Sequence, residues 1–152
     1  MKLIGCIALV FLAGGLGSLA TSRSVNSAWY ETLQKPALQP PDWLFGPVWT
    51  LLYVLIGAAL YLLIAAKTDR QKGRAYTYFG IQLALNTLWS IVFFGLRQPG
   101  LAAIVIGLLL VFIALTIYES YRVNRTAAYL FVPYLLWVCF ASYLNAGVAL
   151  LN

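Results

Sequence analysis

The chain has 152 residues, 62% hydrophobic and only 9% charged, far from the roughly 45–50% apolar and about 25% charged make-up of soluble domains. That argues against a water-soluble globule, and the length suits a single domain over residues 1–152. The ten Lys and Arg outnumber the four Asp and Glu, and there is no histidine, which removes Ser-His-Asp and Cys-His catalysis, His-ligated haem and ordinary zinc sites.

Crossing a bilayer core of about 30 Å takes about 20 mostly apolar helical residues. Five stretches qualify: Leu3–Thr21, Leu44–Ala66, Ala75–Leu96, Leu101–Glu119 and Ala127–Leu151. Hydrocarbon cannot satisfy an open backbone, so these spans are helical. The runs are continuous rather than alternating, so a barrel does not fit. The expected fold class is an all-α membrane protein, a five-transmembrane-helix bundle.

The first span follows Met1-Lys2 and contains Leu3-Ile4-Gly5-Cys6, which looks like a lipoprotein cleavage box. Cys6 stands too near the start to have a hydrophobic region before it, so the span is expected to be retained. Ala13 and Gly17, or Gly14 and Ser18, give small-xxx-small spacing, either for close packing or as room for a cavity. Cys6 and Cys139 form no CxxC and no disulfide framework, and Cys139 is expected to pack rather than react.

Residues 22–43 form the one long connection, rich in Pro, Trp and Tyr. Pro36, Pro40 and Pro41 favour extended or turn backbone. A loop this long and aromatic is expected to fold back over the bundle as a lid. Trp29, Tyr30 and Trp43 also fit ordinary interfacial aromatics. The second span opens with Pro47 in its first turn and carries Trp49 and Tyr53 four residues apart. After it, KTDRQKGR (67–74) is a solvated loop.

The third span carries a polar and aromatic stripe: Gln82, Asn86, Trp89, Ser90 and Phe93 share one helix face. Buried amides in a membrane need partners. Gln82 and Asn86 either hold helices together or line a pocket and orient a ligand, and periodicity does not choose between these. A tight turn, Arg97–Gly100, leads to the fourth span, where Glu119 stands three residues before Arg122 and is expected to form an interfacial ion pair. In the next loop Asn124-Arg125-Thr126 fits a glycosylation sequon, expected to be unused on its predicted cytoplasmic side. The fifth span shows Tyr134, Trp137, Ala141, Leu144 and Asn145 at helical spacing. Trp89 and Trp137 lie too deep for interfacial anchors, and aromatic faces on several helices suit a flat apolar ligand.

Charge sets orientation. With five spans, Lys2, Lys67, Arg70, Lys72, Arg74, Arg122 and Arg125 fall on one side, and Arg23, Lys35 and Arg97 on the other. The positive-inside rule places the N-terminus in the cytoplasm and the long loop outside. Insertion from the cytoplasm favours the bacterial inner membrane, with the outer membrane as the alternative. The basic residues flank spans rather than cover a folded face, so no nucleic-acid partner is expected. No charged residue lies near the middle of any span, which disfavours ion-coupled transport.

Three segments carry a resemblance: WYETLQKPALQPPDWLFGPVWTLLY (29–53), QLALNTLWSIVFFGLRQ (82–98) and PYLLWVCFASYLN (133–145). Together they resemble the tryptophan-rich sensory protein / translocator protein (TspO/MBR) family, also called the peripheral-type benzodiazepine receptor family, over nearly the whole chain. The chain looks like a bacterial member. The resemblance implies a five-helix bundle, a homodimer, and a receptor for porphyrins such as protoporphyrin IX, linked to tetrapyrrole and stress regulation. Family members also bind sterols and benzodiazepine-site ligands. It places the pocket between the first, second, third and fifth spans under the lid. The ligand-binding positions it implies are Tyr30, Trp49, Tyr53, Asn86, Trp89, Trp137, Phe140, Ala141 and Leu144. The tryptophan pair linked to porphyrin breakdown falls on Trp49 and Trp137, the candidate catalytic residues of an enzymatic alternative. Facilitated transport of porphyrin or sterol is a further alternative.

No cofactor or metal is expected, and membrane lipid surrounds the chain. Lys35 and Arg23 are on the lid side, where they can meet porphyrin propionates. The sterol motif of animal members is missing at the C-terminal end, since no basic residue follows Tyr143.

Overall fold

The computed structural model describes residues 2–68 and 72–152. Its helices are α1 (Leu3–Val25), α2 (Ala28–Thr32), α3 (Phe45–Ala65), α4 (Lys72–Ser90), α5 (Pro99–Val123), α6 (Arg125–Leu130) and α7 (Val132–Leu151). Five segments are long and apolar enough to cross a membrane: Leu3–Val25, Asp42–Ala65, Lys72–Gly95, Pro99–Val123 and Arg125–Leu151. They match the five spans expected from composition, and the protein is a multi-pass membrane protein. No strand occurs among the described residues. Arg70, counted above in the charge asymmetry, lies outside them.

The helices close a ring in the order α3, α1, α4, α5 and α6–α7, with α6 returning to α3. Small residues set the approach of α1 to its neighbours. A Cβ on Gly57 would meet the Ile7 backbone Cα at 2.6 Å, and one on Gly17 would meet Ser90 Cβ at 3.0 Å. A Cβ on Gly14 would overlap the Tyr53 ring. The two small-xxx-small pairs therefore serve different neighbours, Gly14 packing on α3 and Gly17 on α4. Thr87 Oγ1 adds a hydrogen bond to the Ala13 carbonyl at 2.9 Å.

The fifth span is broken at Phe131, between α6 and α7. Pro133 lacks an N–H and crowds the carbonyl four residues back, which weakens the ladder there. The Asn124 Oδ1 accepts from the Ala127 N–H at 3.0 Å and caps α6, so the sequon asparagine has a structural task. At the same end Lys72 Nζ donates to the Ile64 and Ala66 carbonyls, neutralising the C-terminus of α3.

Two expectations change at this end and on α7. Glu119 pairs with Arg74 of α4 at 3.6 Å, not with Arg122. Arg122 instead hydrogen-bonds and stacks on Tyr118, one turn before it. Glu119 is buried, facing α4, while Arg122 points out. Cys6 is in the core, whereas Cys139 is exposed on α7 and packs against no core cluster.

Candidate ligand-binding site

At the end of the bundle away from the N-terminus, the helices enclose a cavity of about 540 Å³ roofed by residues 26–42. That volume is within the roughly 300–1,000 Å³ usual for small-molecule sites. Aromatic rings come from several of its walls. Phe11 of α1, Trp49 and Tyr53 of α3, and Trp89, Phe93 and Phe94 of the third span all line it. The rings brace one another: Trp49 and Tyr53 centroids are 5.5 Å apart, Trp89 and Phe93 5.6 Å, and Phe93 and Phe94 4.7 Å.

A local irregularity places Phe94. The third span ends in a π turn over Ile91–Gly95, which inserts one residue per turn. Two successive phenylalanines thereby face the same cavity. The chain then leaves through Arg97, whose φ of 55° lies in the left-handed region, costly for a side-chain-bearing residue. Its guanidinium sits 5.7 Å from the Trp29 ring, against the lid.

The polar groups gather at the roof. Tyr30 is buried and donates its hydroxyl to Asp42 Oδ1 at 3.2 Å. Lys35 Nζ stands 3.9 Å from the Tyr30 ring centroid. Tyr30, Lys35 and Asp42 all line the cavity. Burial, then the negative charge and hydrogen bond of Asp42, push the Tyr30 hydroxyl up to about 12 from its ordinary 10.0. A phenol raised in the folded state favours folding fully below the unfolded value, and that preference is lost as pH rises through the folded value. The lid contact should therefore hold unchanged through neutral pH and fail only between pH 10.0 and about 12. Difference absorbance between wild type and Tyr30→Phe should show no tyrosinate from Tyr30 until above the ordinary range; a signal centred at the ordinary value would contradict the buried Tyr30–Asp42 contact.

Two contacts pin the lid to α7. Asn152 exchanges a pair of hydrogen bonds with the Gln34 backbone, both 2.9 Å. Pro36 is buried on Gly147, where a Cβ would come within 2.8 Å of its ring. On the α4 side, Trp29 meets Phe93 edge-on at 6.2 Å and Tyr30 meets Phe94 at 6.1 Å.

Of the residues singled out from sequence, Tyr30, Trp49, Tyr53, Trp89, Ala141 and Leu144 line this one cavity. Three do not. Asn86 lies below the floor, buried, its Nδ2 donating to the Tyr134 hydroxyl at 3.1 Å. Trp137 and Phe140 line a separate shallow groove with Val48, Leu51, Leu52, Pro133 and Leu136, and the Trp137 ring packs on Phe45 at 5.8 Å. The third-span stripe thus divides by depth. Gln82 and Asn86 are in the bundle interior, and Trp89, Ser90 and Phe93 are in the cavity wall. Gln82 is fully buried with neither amide atom hydrogen-bonded among the described residues.

Sequence reasoning did not assign Phe94, Asp42 or Asn145 to the site. Asn145 accepts from Trp89 Nε1 at 2.8 Å and donates to the Pro99 carbonyl at 2.8 Å, tying three spans at the cavity wall. Its place on the fifth-span stripe was the available signal. Arg23 does not line the cavity, whereas Lys35 does. Among the described residues no group of three His, Cys, Asp or Glu side chains is placed to hold a metal.

A family profile described as the TspO/MBR family matches residues 6–151. The chain belongs to the TspO/MBR family. It is 43% identical over 148 residues to the Tryptophan-rich protein TspO of Chlorobaculum tepidum, covering 97% of this chain and 93% of that one. It is also 43% identical over 152 residues to the Tryptophan-rich protein TspO of Archaeoglobus fulgidus, covering 100% and 97%. The human Translocator protein is 40% identical over 140 residues, covering 88% and 82%. The matched span contains the lid and every cavity-lining helix, so the TspO/MBR assignment applies to the whole site rather than to a generic apolar bundle.

Proposed function

We propose that this TspO/MBR protein is a membrane receptor for porphyrin-like ligands, with protoporphyrin IX as the representative. The observation that carries the reading is the cavity itself: aromatic walls on several helices, and Lys35 at the roof. A flat, apolar macrocycle with an anionic edge suits it, stacking on the rings while its carboxylates reach Lys35. Without histidine in the sequence, such a ligand is held by faces and edges rather than through an imidazole on a metal. A degrading activity resting on a Trp49–Trp137 pair draws no support from the geometry, because Trp137 faces the groove behind Phe45.

The same reading puts the protein in the bacterial inner membrane with its N-terminus in the cytoplasm. Lys2, Lys67, Lys72, Arg74, Arg122 and Arg125 at one end of the bundle support it under the positive-inside rule. The cavity then opens in the outer half of the bilayer.

Titration of the purified protein with protoporphyrin IX should quench tryptophan fluorescence saturably. An aromatic contact is worth about 0.5–1.5 kcal/mol beyond area burial, so Trp49→Leu should weaken binding by about tenfold, or about 1.4 kcal/mol. Trp137→Phe should leave affinity within a factor of about three. Equal losses for the two variants would show that the cavity is not the binding site.

A further inference from the structure

The lid does not seal the cavity evenly. It is pinned to α7 by the Gln34–Asn152 hydrogen bonds and the Pro36–Gly147 contact, and to the π turn after α4 by Trp29 on Phe93 and Tyr30 on Phe94. Toward α1 and α3 the situation differs. Ser18 and Ser22 of α1, and Gly46 and Thr50 of α3, all line the cavity and are all exposed. Between these two helices the cavity wall is therefore a slit. The contact of Tyr53 on Gly14 closes it below. From Gly15 to Ser22 it runs about 10 Å at the 1.5 Å rise of a helix.

The surroundings of the slit fix what it opens onto. Leu16 and Leu19 beside it are 62% and 57% exposed, as befits lipid-facing positions. The slit therefore opens at the depth of the bilayer, not at its aqueous rim. Its edges are small, and their hydroxyls are already satisfied. Ser18 donates to the Gly15 carbonyl at 2.8 Å, Ser22 to Leu19 at 3.3 Å, and Thr50 to Gly46 at 2.9 Å. An edge with unpaired hydroxyls would be costly against hydrocarbon and would bind passing polar groups. This edge presents neither problem.

We infer that the slit between α1 and α3 is a lateral portal, through which an amphiphilic ligand dissolved in the lipid enters and leaves the cavity while the lid stays docked. The inference rests on the porphyrin-binding reading for its probe. It differs from that reading by concerning the route and not the resting place.

The test uses the full chain in lipid vesicles, with protoporphyrin IX association and dissociation followed by stopped-flow tryptophan quenching. Pro36→Cys with Gly147→Cys, made in a Cys139→Ser background, can lock the lid. The two Cβ positions are 2.8 Å apart, so the lid has to yield by about 1 Å to reach disulfide geometry. The oxidised and reduced forms of that one protein are compared, so the substitutions themselves cancel. The portal predicts association rates equal within about twofold in the two forms. In a second protein, Ser18→Phe with Thr50→Phe narrows the slit. It should slow association by about tenfold, and because Ser18 and Thr50 line the cavity the association rate, not the dissociation constant, is the readout. A locked lid that slows association by tenfold and recovers on reduction would overturn the portal, as would an unchanged association rate in the slit variant. If the slit variant loses equilibrium binding, the locked lid alone decides. Absence of saturable quenching in wild type is a different outcome, since it removes the porphyrin reading itself.

Discussion

Gly57→Ala should separate α1 from α3 and cost the bundle close to the upper end of the about 1–3 kcal/mol typical of overpacking. The added Cβ would stand 2.6 Å from Ile7 Cα and 3.0 Å from Ile7 N. Both are backbone atoms, so no rotamer change relieves the overlap and a whole helix has to move. In hydrocarbon, helix association depends on close packing rather than on a hydrophobic force, so lost approach is not recovered elsewhere. Gly107→Ala is the control. Nothing lies within 4 Å of the position its Cβ would take, and alanine is the better helix former by about 0.8–1.0 kcal/mol. Thermal unfolding in detergent should therefore move in opposite directions for two identical substitutions on two spans. Equal shifts for both would mean that the α1–α3 crossing does not depend on Gly57.

The five spans were legible from composition because the physical demand is simple: about 20 apolar residues in helix. Their ends were less so. The first helix continues past Thr21 to Val25, since serine and arginine end the apolar run without ending the hydrogen-bond ladder. The π turn at Ile91–Gly95 left no sequence mark, and with it Phe94 escaped notice. Periodicity identifies the face of a helix but not the depth along it. Asn86 and Trp89 share a face, yet one turn separates a hydrogen bond in the interior from a cavity wall. On α7, Trp137 and Ala141 are four residues apart, which rotates them by about 40° around the axis. That rotation, together with Phe45 standing against the indole, is enough to put Trp137 in the outer groove. The lid's roof over the bundle was expected from its length and aromatic content. Its anchors, Gly147 under Pro36 and Asn152 on Gln34, depend on contacts more than 100 residues apart in the chain, which no local pattern reports.

Asn145→Leu should lower both stability and porphyrin affinity, and the two losses should share one cause. Asn145 is buried, accepting from Trp89 Nε1 and donating to the Pro99 carbonyl. Leucine fills much of the same volume but leaves the Trp89 indole N–H without its partner in an apolar surrounding, and removes a second bond from the Pro99 carbonyl, which keeps its partner within α5. An orphaned buried group costs about 1–3 kcal/mol, while single hydrogen bonds in membrane bundles are worth about 0.6 kcal/mol on average. A total loss of about 2–3 kcal/mol is expected on those two scales. The freed indole can turn from the angle that makes it a flat cavity wall, so affinity should fall as well. Trp89→Phe separates the effects: it keeps a ring in the wall and removes the donor. In the Trp89→Phe background, Asn145→Leu removes only the additional bond to the Pro99 carbonyl and orphans no donor, and its cost should shrink measurably in a double-mutant cycle. Unfolding and quenching measured on the four proteins give the coupling for stability and for binding separately. Additive losses in both would mean that Asn145 acts through the Pro99 carbonyl alone and that the Trp89 indole is oriented by its ring neighbours, Phe93 and Phe94.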